Sequence, residues 1–82
     1  HFSLKLYWIN NMNLPIGIFE EDIKPIQNQY PNIDLKEAIV LFLRRDNWTY
    51  GNIQKKLGNP SKKWIREVLL KYEPNLVNIQ SY

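Results

Sequence analysis

Apolar positions along the chain fall into one alternating stretch followed by four stretches with helical spacing. Residues 2 to 9, FSLKLYWI, alternate imperfectly between polar and apolar and are rich in residues that favour extended backbone, which predicts a short strand. NNMNLPIG breaks it. Asp22 is then expected to cap a short helix running to about Tyr30, with Pro25 in its first turn and Ile23, Ile26 and Tyr30 on one face, and Pro31 ends that helix.

The segment NIDLKEAIVLFLRRDN predicts the central helix. Asp34 as N-cap with Glu37 three residues later makes a capping-box pair, and Ile33 with Ala38 occupies the hydrophobic-staple positions. Residues 38 to 43 are apolar without interruption, so this helix is expected to be covered on most sides. Thr49 caps a helix from Tyr50 to Leu57, and Gly58 supplies the left-handed residue that stops it. After the turn GNPS, Ser61 caps a last helix from Lys62 to about Tyr72, ended by Pro74. The tail NLVNIQSY is expected to pair as a strand with the N-terminal one. The expected fold is therefore mainly α, a single domain over residues 1–82 with three to four helices, made winged-helix-like by a small two-stranded β element from the two termini.

Length and composition narrow this picture. At 82 residues, with 44% hydrophobic and 13% aromatic residues, the chain builds one small core and little surplus stability. It has no cysteine, which removes disulfides, thiolate metal sites and cysteine nucleophiles. No stretch has the form of a secretory leader or of a membrane span, so a cytoplasmic location with no membrane partner is expected. Because the chain begins at His1 rather than Met, the natural protein is expected to be longer or processed.

Charge divides the chain more sharply than its net value of +3 suggests. Residues 1–43 carry a net −2 and residues 44–82 a net +5. Six of the eleven Lys and Arg lie within YGNIQKKLGNPSKKWIREVLLKY, on both sides of the GNPS turn. Such an imbalance is the usual footprint of a surface that meets phosphates.

Two short helices joined by a Gly-containing turn after a buried helix give RRDNWTYGNIQKKLGNPSKKWIREVLLKY, residues 44–72, a form that resembles the helix-turn-helix superfamily of DNA-binding proteins. The resemblance places the motif at 49–72. Ile53 and Leu57 anchor the first helix and Ile65, Val68, Leu69 and Tyr72 the second. Gln54 stands where such motifs often carry Ala, and the turn is one residue longer than the tightest version. The resemblance implies double-stranded DNA as partner and a role in transcription regulation or as an accessory of replication, transfer or recombination.

At 100° per residue, Lys63, Arg66 and Leu70 lie away from the anchor stripe, with Lys62 and Glu67 on the flanks. Ser61, Lys62 and Lys63 stand at the helix N-terminus, where backbone N–H groups favour phosphate. Arg66 is the candidate for a bidentate guanine contact and Leu70 for a thymine methyl. Lys55, Lys56, Arg44 and Arg45 are the candidates for flanking phosphates. Ordinary surface roles stand beside these: Lys63 and Glu67 are spaced for a weak pair, and Trp64 for a core edge.

A second resemblance spans most of the chain. FS (2–3), LPIGIFEEDI (14–23), LKEAIVLF (35–42), WTY (48–50) and GNP (58–60) follow the order of similar words in the ProQ/FinO family of RNA chaperones. That resemblance implies structured RNA as partner, with Lys36 at the family's basic helix position and Tyr50 at its aromatic one. Between Tyr50 and Gly58 the chain is shorter than the family's hairpin, whose Arg has no counterpart here.

No catalytic constellation is legible: the sole histidine is terminal, and neither a nucleophile motif nor a glycine-rich phosphate loop occurs. Glu20, Glu21 and Asp22 read as partners of a helix N-terminus rather than as Mg²⁺ ligands, so neither an enzyme nor a cofactor is expected. The remaining alternative is a protein-interaction module using Tyr7, Trp8, Trp48, Trp64 and Tyr82, and a homodimer is compatible with it and with DNA binding alike.

Overall fold

A computed structural model describes residues 14–79, and its described part is mainly helical. Among the described residues four α-helices succeed one another: α1 (Glu20–Gln29), α2 (Leu35–Arg45), α3 (Tyr50–Lys56) and α4 (Lys62–Tyr72), with a 3-10 turn at Pro74–Leu76. The expected strand at residues 2–9 lies outside the described residues, as do Tyr7, Trp8 and Tyr82.

Before α1, the segment LPIGI makes a β-turn closed by Ile18 N–H to Pro15 O at 3.1 Å, with Gly17 at φ 90° in its third position. That conformation is open to glycine at little cost. The turn sends Ile18 into the core and leaves Ile16 92% exposed.

Helix α1 begins two residues before the expected cap. Phe19 is its N-cap, and the Phe19 N–H donates to Asp22 Oδ2 at 3.1 Å. Asp22 thus serves the helix start from the third helical position, where its carboxylate reaches back over the first turn. The earlier start moves Pro25 to the sixth helical position, where its missing N–H leaves one carbonyl, on exposed Glu21, to solvent. Ile23 and Ile26 are buried and Tyr30 is partly buried, as their spacing requires.

Helix α2 packs against α1, α3 and α4 and forms the centre of the domain. Asp34 is its N-cap, and the Asp34 N–H donates to Glu37 Oε1 at 3.1 Å. Ala38, Ile39, Val40, Leu41 and Leu43 are each at most 2% exposed, so the apolar run is enclosed nearly all round. Burying each of the larger side chains stabilises the fold by roughly 1.5–3 kcal/mol before entropy is counted.

The apolar run does not end the buried face. Arg44, expected at a phosphate, is 3% exposed and lies inside the molecule. Its Nε donates to Leu76 O at 2.8 Å, Nη1 to Trp48 O at 2.8 Å, and Nη2 to Val77 O at 3.1 Å and Ile79 O at 3.5 Å. The guanidinium carbon sits 4.7 Å from the Tyr50 ring centroid, and Tyr50 OH donates to Val77 O at 3.1 Å. A planar fork of donors can satisfy several backbone acceptors at once, which lets it be buried.

Over the described residues 75–79 the expected C-terminal strand is absent, and its residues 80–82 and N-terminal partner lie outside the described residues. Residues 74–76 form the 3-10 turn and 77–79 continue without strand structure, and the carbonyls of Leu76 and Val77 accept from Arg44. Leu76 and Val77 then close the core beside Ile65, Val68 and Leu69.

Replacing Arg44 by Leu strips the guanidinium donors from the carbonyls of Trp48 and Leu76, while Val77 O keeps the Tyr50 hydroxyl, and each orphaned carbonyl costs about 1–3 kcal/mol. Urea unfolding of Arg44→Leu should show a loss of about 3 kcal/mol or more. Arg44→Lys should recover only part, since one ammonium cannot reproduce the fork. A loss under about 1 kcal/mol for Arg44→Leu would mean that the clamp is dispensable.

Candidate nucleic-acid interface

Two backbone stops fix α3 between its neighbours. At the end of α2, Asn47 adopts φ 64°, the Asn47 N–H donates to Arg44 O at 2.9 Å, and the Trp48 N–H donates to Leu43 O at 3.1 Å. At the end of α3, Gly58 adopts φ 80°, and the Asn59 N–H donates to Gln54 O at 2.7 Å. Both patterns belong to the Schellman type, in which a left-handed residue folds the chain back onto the last helical carbonyls. Thr49 Oγ1 accepts from the Asn52 N–H at 3.1 Å and caps the start of α3. Helix α3 ends at Lys56, one residue before the expected Leu57, because Leu57 is the C-cap of this stop.

The turn into α4 has a brace of its own. Gln54 Nε2 donates to Pro60 O at 2.9 Å, so Gln54 holds the turn with its side chain and its backbone carbonyl together. Ser61 Oγ accepts from the Trp64 N–H at 3.0 Å and caps α4 as its sequence position predicts. Ile65, Val68 and Leu69 are at most 3% exposed, and Ile53 is fully buried opposite them.

The outer side of α4 is polar and basic. Ser61, Lys62, Lys63, Arg66 and Glu67 are exposed, and Leu70 is 50% exposed. The ion pairs among the described residues, Arg45 with Glu73 and Lys71 with Glu37, involve none of Lys55, Lys56, Lys62, Lys63 or Arg66.

The remaining candidates are placed elsewhere. Lys55 and Lys56 line an open groove of about 520 Å³ together with Asp46, Asn47, Trp48 and Asn52. A second groove, of about 450 Å³, lies at the start of α4 between Lys36, the residues 57–61 and Trp64. Arg44 is withdrawn from the set by its burial.

Arg45 also turns towards the C-terminal segment. Its Nε donates to Glu73 Oε1 at 2.9 Å, and its Nη2 donates to Glu73 Oε2 and, at 3.0 Å, to Gln29 Oε1. Tyr30 OH donates to the same Glu73 Oε2 at 2.9 Å, which ties α1 to the end of α4. The Arg45 hydrogen bonds hold the Glu73 carboxyl below its ordinary value of 4.5, and the neighbouring carboxylate raises the Tyr30 phenol. The positive charge of Arg45 is thus answered within the molecule.

The groove at Trp48 escaped the sequence reading of individual residues. Its signal was a stripe: Trp48, Asn52 and Lys55 with Lys56 recur at steps of three and four, one face of α3 continued to the residue before its Thr49 cap. Among the described residues no group of three or more His, Asp or Glu is arranged to hold a metal ion, and no helix is long and apolar enough to cross a membrane.

Compared with known proteins, the chain matches no family model, no curated protein and no solved structure. Its own geometry therefore supplies the functional reading.

Two stability measurements test this frame. A Cβ at Gly58 would meet nothing within 4 Å, so Gly58→Ala should cost about 1 kcal/mol through backbone conformation alone, and Gly58→Asn less. Equal stability of all three would mean that the stop is not strained. The depressed Glu73 pKa contributes stability that is complete above its ordinary value of 4.5 and is lost as pH falls through the folded value. Glu73→Gln should lose about 1 kcal/mol at neutral pH, and its deficit should vanish in acid. A deficit independent of pH would assign the loss to packing instead.

Proposed function

We propose that the chain is a non-enzymatic nucleic-acid-binding domain that docks on double-stranded DNA through the outer face of α4, acting as a transcription regulator or as an accessory of replication, transfer or recombination. The observation that supports it is the two-sidedness of α4: Ile65, Val68 and Leu69 are buried on one side, while Lys62, Lys63, Arg66 and Leu70 are exposed on the other. A helix held rigidly by one stripe can offer the other to a groove of about its own width. Arg66 forks to a guanine, Leu70 meets a thymine methyl, and Lys62 and Lys63 at the helix N-terminus hold phosphates. Lys55 and Lys56 add phosphate contacts from α3.

Structured RNA is a second reading, favoured by one specific observation. Lys36, from the word LKEAIVLF, and Gly58, Asn59 and Pro60, the word GNP, line one groove with Trp64 although they are far apart in sequence. Those words carry the ProQ/FinO resemblance, and an aromatic beside a lysine suits an unstacked base.

Fluorescence anisotropy with a duplex and with an RNA hairpin of equal charge separates the two. Four lysine contacts to phosphate give a salt slope of about −3.6, or about a hundredfold loss between 50 and 200 mM salt. Lys63→Glu with Arg66→Glu should weaken duplex binding by about a hundredfold or more while the helical circular dichroism stays unchanged. Unchanged affinity in that double variant would remove α4 as the docking face, and preference for the hairpin would move the assignment to RNA.

A further inference from the structure

The groove at the end of α2 sets Trp48, Asn47 and Asn52, which duplex docking by α4 leaves unused, beside the phosphate-binding Lys55 and Lys56. It is lined by Asp46, Asn47, Trp48, Asn52, Lys55 and Lys56. Trp48 is pinned there from several directions. Its N–H donates to Leu43 O at 3.1 Å, its carbonyl accepts from Arg44 Nη1 at 2.8 Å, and its indole N–H donates to Asp46 Oδ2 at 3.3 Å. The left-handed Asn47 before it and the Thr49 cap after it remove the remaining freedom. An aromatic ring held this way loses little entropy when something stacks on it.

The polar groups around the ring are of three kinds. Asn47 and Asn52 each carry an amide with donors and an acceptor, the pattern that pairs with base edges. Lys55 and Lys56 supply two ammonium groups suited to phosphate. The carboxylate of Asp46 is already engaged by the indole N–H. Lys56 Nζ lies 5.9 Å from the Trp48 ring centroid, at the outer limit of a cation–π contact, so it gains by moving to a phosphate oxygen. A volume of about 520 Å³ has room for a base and its phosphate.

We infer that this groove takes one unpaired nucleotide of the bound nucleic acid, its base stacked on Trp48, its edge met by Asn47 and Asn52, and its phosphate held by Lys55 and Lys56. The inference rests on the nucleic-acid reading and sharpens it: the preferred ligand is a duplex with an unpaired end rather than a continuous duplex. That preference fits an accessory of replication, transfer or recombination better than a regulator that reads an intact operator.

The test compares a blunt duplex, the same duplex with a two-nucleotide unpaired tail, and the same duplex with an abasic tail of equal charge. Stacking of one base should make the natural tail bind about tenfold tighter than the abasic tail. Trp48→Leu should abolish that gain and leave blunt-duplex affinity unchanged, whereas Trp48→Phe should keep most of it. Asn52→Ala, at an exposed position whose backbone N–H alone makes the capping bond, should reduce the gain without disturbing the fold and decides the matter if Trp48→Leu fails to fold. Equal affinity for natural and abasic tails, or a gain that survives Asn52→Ala and Trp48→Leu, overturns the inference while blunt-duplex binding keeps the α4 reading. Binding to the natural tail without binding to the blunt duplex upholds the groove and removes duplex docking. No binding to any of the three overturns both.

Discussion

Burial of Arg44 is the constraint on which the rest of the described structure depends. A guanidinium cannot leave water unless acceptors replace it, and here the carbonyls of Trp48, Leu76, Val77 and Ile79 do so. These acceptors come from the loop before α3 and from the segment after α4. One side chain of the central helix therefore decides where α3 begins and where the C-terminal segment runs. Tyr50, stacked near the same guanidinium and bonded to Val77 O, couples the first residue of α3 to that segment. The hydrophobic core would bring these elements together in many ways, because burial has no direction. Hydrogen bonds to a planar fork have direction and select one arrangement.

The two neighbouring arginines show how position on α2 divides their roles. Arg44 points inward and organises backbone, whereas Arg45, one step round the helix, meets Glu73 and Gln29 at the surface, beside the Tyr30 hydroxyl on the same carboxylate. The second cluster joins α1 to the end of α4 and draws charge away from the candidate interface. What remains basic and exposed is concentrated on α3 and α4, on either side of the braced turn. A nucleic acid docking there would meet lysines and Arg66 against the nearby exposed acid Glu67.

Local signals in the sequence were the more reliable ones. Asp34, Thr49 and Ser61 begin helices, and Gly58 ends one, because capping depends on groups within a few residues of one another. The buried stripe of α4 is legible at a step of 100° per residue for the same reason. The failures are those that need distant partners. Arg44 and Arg45 are indistinguishable as letters, and only the return of the C-terminal segment decides that one is buried. The tail NLVNIQSY is rich in residues suited to extended backbone, yet over residues 75–79 it forms no strand, and the carbonyls of Leu76 and Val77 accept from Arg44. Asp22 has the chemistry of a cap, whereas Phe19, whose side chain has no acceptor, stands at the position where a polar cap is expected. Of the candidate site, the α4 face was legible, while in the groove at Trp48 the steps of three and four join Trp48, Asn52 and Lys55 but do not reach Asp46 and Asn47, which the end of α2 supplies.

The paired backbone stops around α3 make that helix a spacer of fixed length. Seven residues separate the Thr49 cap from the Leu57 stop, and Ile53 must stay in the core between them. Each residue added to or taken from a helix turns the chain beyond it by about 100° and shifts it by about 1.5 Å. With both ends fixed, such a change cannot spread into looser chain. It would pass through the turn that Gln54 braces and rotate the basic face of α4 away from the lysines of α3. Variation in this protein is therefore expected to alter which side chains α3 carries far more readily than how many.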